Sequence, residues 1–176
     1  YICFYLNIVT EKNGLTNQAL LPAEYDQVVY GFNDTTRIYP KDKTIHQLFS
    51  DQAARMGNSV ALICGSEVLS YASLENESSQ LADLIRKKIG SSSFSDIRVA
   101  ICIDRSIEMF IGILAILKAG AAYVPIDPSY PKERIELILD DSDAKCILTQ
   151  RTYCSMFSDP IVLDNKLYHA VSSADL

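Results

Sequence analysis

Tryptophan is absent from this 176-residue sequence, histidine occurs twice, and the five cysteines include no Cys-x-x-Cys pair. Because the cysteines are odd in number and lie apart from any histidine cluster, neither a zinc site nor a disulfide framework is expected. Cys64, Cys102 and Cys146 each lie in an apolar run, where a free thiol behaves as a small buried hydrophobe. We therefore expect a reducing, cytoplasmic environment.

Long apolar runs and clustered positive charge are also missing. The longest apolar stretch, residues 109–117, is far too short to span a bilayer. The formal net charge of -6 argues against binding to nucleic acid or to a membrane surface, because phosphate affinity needs clustered Lys and Arg. Residues 86–88 (Arg-Lys-Lys) form the one basic cluster. They fall where a helix should end, so interaction with the helix dipole is favoured over an anion site.

The common signatures of phosphate binding and nucleophilic catalysis are missing too. No Gly-x-Gly-x-x-Gly follows a predicted strand, and neither a phosphate-binding loop nor a nucleophile elbow occurs. Residues 140–143 (Asp-Asp-Ser-Asp) suggest a metal site, but a solvated turn at a helix end needs no ion and is favoured. Asp104 and Arg105 follow a strand and could contact a substrate, although a local ion pair or cap is favoured. His46 is interpreted as a solvated or locally hydrogen-bonded residue. We assign no catalytic, cofactor-binding or metal-ligating residue.

Residues 117–134 (Leu-Lys-Ala-Gly-Ala-Ala-Tyr-Val-Pro-Ile-Asp-Pro-Ser-Tyr-Pro-Lys-Glu-Arg) predict a rigid corner between two helices. Gly120 can adopt the left-handed conformation that ends helices, and Lys118 lies in the last turn, where the dipole favours a cation. A short strand over residues 122–126 follows. Pro131 is expected at the first position of the next helix, where its missing N–H costs nothing.

Helix signals recur along the rest of the chain. A short helix is predicted near residues 20–25, with Pro22 at its start, and residues 44–47 match a capping box that opens a helix ended by Gly57. Apolar residues from Leu74 to Ile89 follow helical spacing up to Gly90. Ser106 is the expected N-cap of a helix that is apolar almost all round and should therefore be sandwiched in the core. A further helix should follow Pro131, and a short helix or turn is expected over residues 151–157.

Strand signals alternate with these helices. Residues 60–64 and 67–71 predict a hairpin around Gly65 and Ser66, and residues 98–103 form an apolar run typical of a strand covered on both faces. Two shorter strands are expected over residues 145–149 and 161–163, followed by a polar tail. The alternation predicts an α/β fold, a mostly parallel sheet flanked by helices, with a domain boundary near residue 40.

The corner resembles, almost residue for residue, the Leu-Lys-Ala-Gly-x-Ala-Tyr-Val-Pro-Ile-Asp motif of adenylation domains in nonribosomal peptide synthetases. Residues 69–74 are similar to the Leu-Thr-Tyr-x-Glu-Leu motif of that family and depart from it at Ser73. Residues 44–49 resemble the segment that opens these domains, and residues 104–109 also fit. Residues 32–35 are similar to the linker that follows a condensation domain. The resemblance is strongest over residues 44–150.

The resemblance implies part of the large N-terminal subdomain of an adenylate-forming enzyme of the acyl-CoA synthetase and luciferase type. Residues 1–15 would end an upstream condensation domain, and residues 16–43 would form a linker. Residues 44–176 would form the first half of the large subdomain and stop before the phosphate-binding loop, which residues 173–176 approach.

The resemblance also implies a ligase as the parent. Such a parent activates an amino acid with ATP and Mg²⁺ to an aminoacyl adenylate, which then passes to the phosphopantetheine thiol of a carrier domain. This segment would be a scaffold between condensation and carrier domains, inactive alone, with no nucleic acid or membrane partner. Three alternatives stay open: an acyl or aryl acid ligase of the same superfamily, a non-enzymatic α/β interaction module, and a segment that acts mainly as the condensation–adenylation interface.

Overall fold

The computed structural model describes residues 20–90 and 96–164 and the backbone of residues 167–170. The interpretations of residues 1–15, of most of the loop at 91–96 and of residues 173–176 lie outside these ranges. The chain divides into two compact units, Tyr1–Asp42 and Lys43–Leu176.

The first unit contains one short helical segment in its described part. Helix α1 (Pro22–Asp26) begins with Pro22 at its first position, as predicted, and continues into a π-helical turn, Gln27–Gly31. The Leu21 N–H donates to a carboxylate oxygen of Glu24 at 2.8 Å. Large apolar side chains of this unit stay exposed to water, Ile38 completely.

The second unit opens with a helix and a hairpin that follow the local signals closely. The Thr44 hydroxyl caps helix α2 (Ile45–Met56), and the Gln47 side chain accepts the Thr44 N–H at 2.9 Å, which confirms the capping box. Strands β1 (Val60–Cys64) and β2 (Glu67–Ser70) pair antiparallel, with Gly65 at φ 60° in the turn. The strand ends one residue earlier than predicted, because the Ser70 side chain caps the helix that follows.

A five-stranded sheet in the order β4-β3-β5-β6-β7 forms the centre of this unit. Four strands run parallel: β3 (Arg98–Cys102), β4 (Ala122–Pro125), β5 (Cys146–Gln150) and β6 (Ile161–Asp164). Strand β7 (Leu167–Ala170) pairs antiparallel with β6. The prediction that this stretch is only a polar tail was therefore wrong, since four residues give too short a pattern to reveal a strand.

Helices cover both faces of the sheet, which confirms the predicted α/β fold. Along β3, Val99 and Ile101 pack in one core with helices α3 (Tyr71–Ile89) and α4 (Ile107–Lys118). Ala100 and Cys102 face the other way, into a smaller core with helix α5 (Lys132–Ser142). A 3₁₀ helix, Arg151–Met156, links β5 to β6 where a short helix or turn was expected.

Two expectations about the helices need correction. Helix α4 is not sandwiched on all sides, because Phe110 remains 46% exposed. Pro131 is the N-cap of α5 and not its first helical residue: its ψ of 147° is extended, while its carbonyl already accepts the Ile135 N–H at 3.1 Å. A proline fits there as well as one position later, since neither position requires an N–H donor.

Within the described ranges, no helix combines the length and the apolar character needed to cross a membrane.

Candidate functional site

The corner at residues 117–134 begins with a tightly closed helix end. Gly120 adopts φ 83°, and its N–H donates to the Leu117 carbonyl at 3.1 Å. The Ala121 N–H reaches back to the Ile116 carbonyl, also at 3.1 Å. These two bonds form a Schellman motif, which satisfies carbonyls that the helix would otherwise leave free. The chain therefore leaves α4 in a fixed direction and enters β4 beside β3.

Lys118 does more than complement the helix dipole, because its side chain points inward and is only 8% exposed. Its ammonium Nζ lies 2.8 Å from Glu75 Oε2. It also donates to the hydroxyl oxygens of Ser78 and Ser79, at 2.8 and 3.0 Å. The sequence gives no local signal for this arrangement, since Glu75 and Lys118 are far apart in the chain and each is ordinary on a solvated helix.

The same cluster reaches helix α2. The Ser50 hydroxyl donates to both carboxylate oxygens of Glu75, at 3.0 and 3.1 Å. The ammonium of Lys118 lies 5.7 Å from the centre of the Phe49 ring, within cation–π range. The Arg86 guanidinium donates to the Lys118 carbonyl. Helices α2, α3 and α4 are thus joined by one partly buried polar cluster at the start of the corner.

A pocket of about 470 Å³ opens at the carboxyl ends of β3 and β4, directly after the corner strand. Its polar lining comes from Asp104 and Arg105 after β3 and from Asp127 after β4. Tyrosine, proline and aliphatic side chains form the rest of the wall: Ile101, Ile103, Met109, Ile113, Tyr123, Pro125, Ile126, Pro128 and Tyr130. Open α/β sheets bind ligands at this edge, and the size lies within the range of small-molecule sites.

Asp127 is the best-defined anion of the pocket. Its Oδ1 accepts the backbone N–H of Ser129 at 2.9 Å and the Ser129 hydroxyl at 2.8 Å. These two hydrogen bonds, the backbone bond first, hold the pKa of the Asp127 carboxyl below its usual value, and the nearby charge of Arg105 acts in the same direction. We did not single out this residue from the sequence, although Asp-x-Ser after a strand is a recognisable turn signal.

Asp104 is held by two contacts with the segment after β5. Its carboxylate accepts the Tyr153 hydroxyl at 2.9 Å, and its backbone N–H donates to Gln150 Oε1 at 2.9 Å. The bond to the Asp104 carboxylate raises the pKa of the Tyr153 phenol. Arg105 contributes charge toward Asp127 and lines the pocket. Both residues therefore belong to the polar part of the pocket wall.

The Cys102 thiol at this edge is not a reactive group. Cys102, the last residue of β3, is buried, and burial followed by the negative charges of Asp104 and Asp127 raises its pKa to about 11. A thiol with that pKa stays protonated near neutral pH, so it packs as a hydrophobe and is a poor nucleophile.

The remaining candidates lie away from the pocket and have local partners. His46 Nε2 lies 3.0 Å from Thr44 Oγ1 at the start of α2. Asp143 ends α5 in a left-handed conformation and pairs with Lys145 at 2.6 Å. Among the described residues, no group of three or more His, Cys, Asp or Glu side chains could hold a metal ion.

Two of the three basic residues at the end of α3, Arg86 and Lys88, also have partners. Arg86 pairs with Asp83 at 2.8 Å, in addition to its bond to the Lys118 carbonyl. Lys88 pairs with Asp159 at 2.6 Å and ties α3 to the loop before β6. Arg86 and Lys88 are therefore both paired with carboxylates of the same chain.

Comparison with known proteins gives consistent matches. The profile of the family described as AMP-binding enzyme matches residues 49–174. Gramicidin S synthase 1 of Brevibacillus brevis is 51% identical over 129 residues, which cover 73% of this chain. The N-terminal subdomain of NpsA from Klebsiella oxytoca superposes with a TM-score of 0.57 at 26% identity over 75% of the chain. A structure described as an artificially fused adenylation–PCP di-domain of NpsA and ThdA matches 61% of the chain, with a TM-score of 0.56 and 29% identity.

The chain spans only a small part of these proteins. It covers 11% of gramicidin S synthase 1, 31% of the NpsA subdomain and 20% of the fused di-domain protein.

Proposed function

Because this chain belongs to the AMP-binding enzyme family and forms part of a nonribosomal peptide synthetase adenylation domain, we propose that its parent activates an amino acid with ATP. The observation that carries the proposal is the family match, which runs through the whole corner motif at residues 117–134. In the proposed reaction the amino-acid carboxylate attacks the α-phosphorus of ATP, pyrophosphate leaves, and an aminoacyl adenylate forms. Mg²⁺ accompanies the ATP.

Within that reaction we assign this segment the role of scaffold. Three features support the assignment: the Lys118 cluster fixes the helices, the Gly120 turn fixes the direction of β4, and the Asp104 and Asp127 carboxylates at the sheet edge already accept hydrogen bonds from Tyr153 and Ser129. Cys102 is protonated near neutral pH and offers no nucleophile. We propose that the groups that contact ATP and the amino acid come from elsewhere in the parent.

The domain arrangement forms part of the same proposal. Residues 1–15 end a condensation domain, residues 16–43 link it to the adenylation domain, and residues 44–176 belong to the adenylation domain. A carrier domain with a phosphopantetheine thiol receives the aminoacyl group, as the match to a fused adenylation–PCP protein supports. Buried free thiols such as Cys146 support a reducing, cytoplasmic location for the parent.

Amino-acid-dependent exchange of pyrophosphate into ATP tests the proposal. A polypeptide that contains the complete adenylation domain should show exchange with at least one amino acid, and the isolated 176 residues should show none. Clear exchange by the isolated chain would overturn the scaffold role. Exchange by the complete domain with aryl or fatty acids alone would instead assign the parent to the acyl and aryl acid ligases.

Charge substitutions in residues 32–43 test separately whether the segment acts mainly as the condensation–adenylation interface. An interface role predicts a loss of condensation while amino-acid-dependent exchange stays unchanged. Unchanged condensation, or equal loss of both activities, would contradict that role.

A further inference from the structure

We draw no further inference here: the strongest candidate, the apolar groove of about 230 Å³ between the β1–β2 hairpin and the start of α4, lined by Leu62, Ile63, Ile107 and Phe110, carries none, because nothing in the structure shows what covers it.

Discussion

Replacing Lys118 by methionine should lower the free energy of unfolding of the chain by about 2 kcal/mol. Methionine keeps most of the aliphatic part of the side chain, so the substitution removes mainly the charge, its hydrogen bonds and its cation–π contact with Phe49. The ammonium of Lys118 contacts Glu75, Ser78 and Ser79 within 3.0 Å, and its loss leaves the Glu75 carboxylate without its cation.

The magnitude follows from the burial of the two partners. Removal of one member of a fully buried ion pair costs about 3–5 kcal/mol. Here the Lys118 side chain is 8% exposed, but that of Glu75 is 31% exposed and keeps the Ser50 hydroxyl as a donor. Water and Ser50 therefore compensate part of the loss, which places the expected cost below that range, at about 2 kcal/mol.

Urea unfolding of the 176-residue chain measures this effect. With a slope of about 1–3 kcal/mol per molar, the midpoint should fall by roughly 1 M. Lys132→Met is the matched control, because Lys132 and Glu136 form an exposed pair at 3.6 Å with side chains 75% and 59% exposed. That control should cost about 0.5 kcal/mol or less.

A double substitution sharpens the test of this pair. The combined variant Lys118→Met with Glu75→Gln should be less destabilised than the sum of the two single variants, by about 1 kcal/mol. A Lys118→Met variant that is no less stable than the Lys132→Met control would refute the reasoning.

Three further perturbations test the sheet and the pocket. Gly112→Ala should lower the free energy of unfolding in urea by about 1 kcal/mol, because the added Cβ would lie 2.9 Å from Ile101 Cδ1. The double variant with Ile101→Val lacks that Cδ1 atom and should recover part of the lost stability. Thr149→Val should lower the free energy of unfolding by about 1 kcal/mol, because the buried Thr149 hydroxyl donates to the Cys102 carbonyl at 2.8 Å. Thr149→Ser should retain that bond. Equal urea midpoints for Thr149→Val and the parent chain would count against this reasoning. The Asp127 carboxyl should titrate below about 3.9 by NMR, so its turn contributes stability above that pH and loses it as the pH falls through the lower folded-state pKa. Ser129→Ala should raise the pKa of Asp127 only part of the way to its ordinary value, because the backbone hydrogen bond from residue 129 contributes more than the hydroxyl and remains. An unchanged pKa of Asp127 would contradict a contribution from the Ser129 hydroxyl.

Features whose partners lie within a few residues were predictable from the sequence. Thr44 and Gln47 satisfy each other across one helical turn, Ser106 caps α4, and Gly120 takes the left-handed conformation that the corner requires. Each depends on a backbone geometry that a few neighbouring residues determine. The alternation of strands and helices then limited the topology strongly, because parallel strands need crossover connections.

Features that depend on distant partners were not predictable. The sequence showed Lys118 as a residue in a last helical turn, and nothing nearby indicated that its ammonium is enclosed by residues of α3. The exposure of Phe110 was missed because an apolar helix pattern does not show which sides are covered. At the pocket, Asp104 and Arg105 could be placed by their position after a strand. The bond between Asp104 and Tyr153, in contrast, depends on how two segments meet across the sheet.

The two faces of the sheet differ in how firmly their helices are attached, and this difference sets an order of local opening. Helix α3 buries five side chains, Leu74, Ser78, Leu81, Ala82 and Ile85, whereas α5 buries Ile135 alone. Because the free energy of local opening follows the surface that a segment buries, α5 should detach while the other face of the sheet stays intact. The chain between β4 and β5 therefore behaves as a weaker folding unit than α3, and a protease in native conditions should cut within it before it cuts α3.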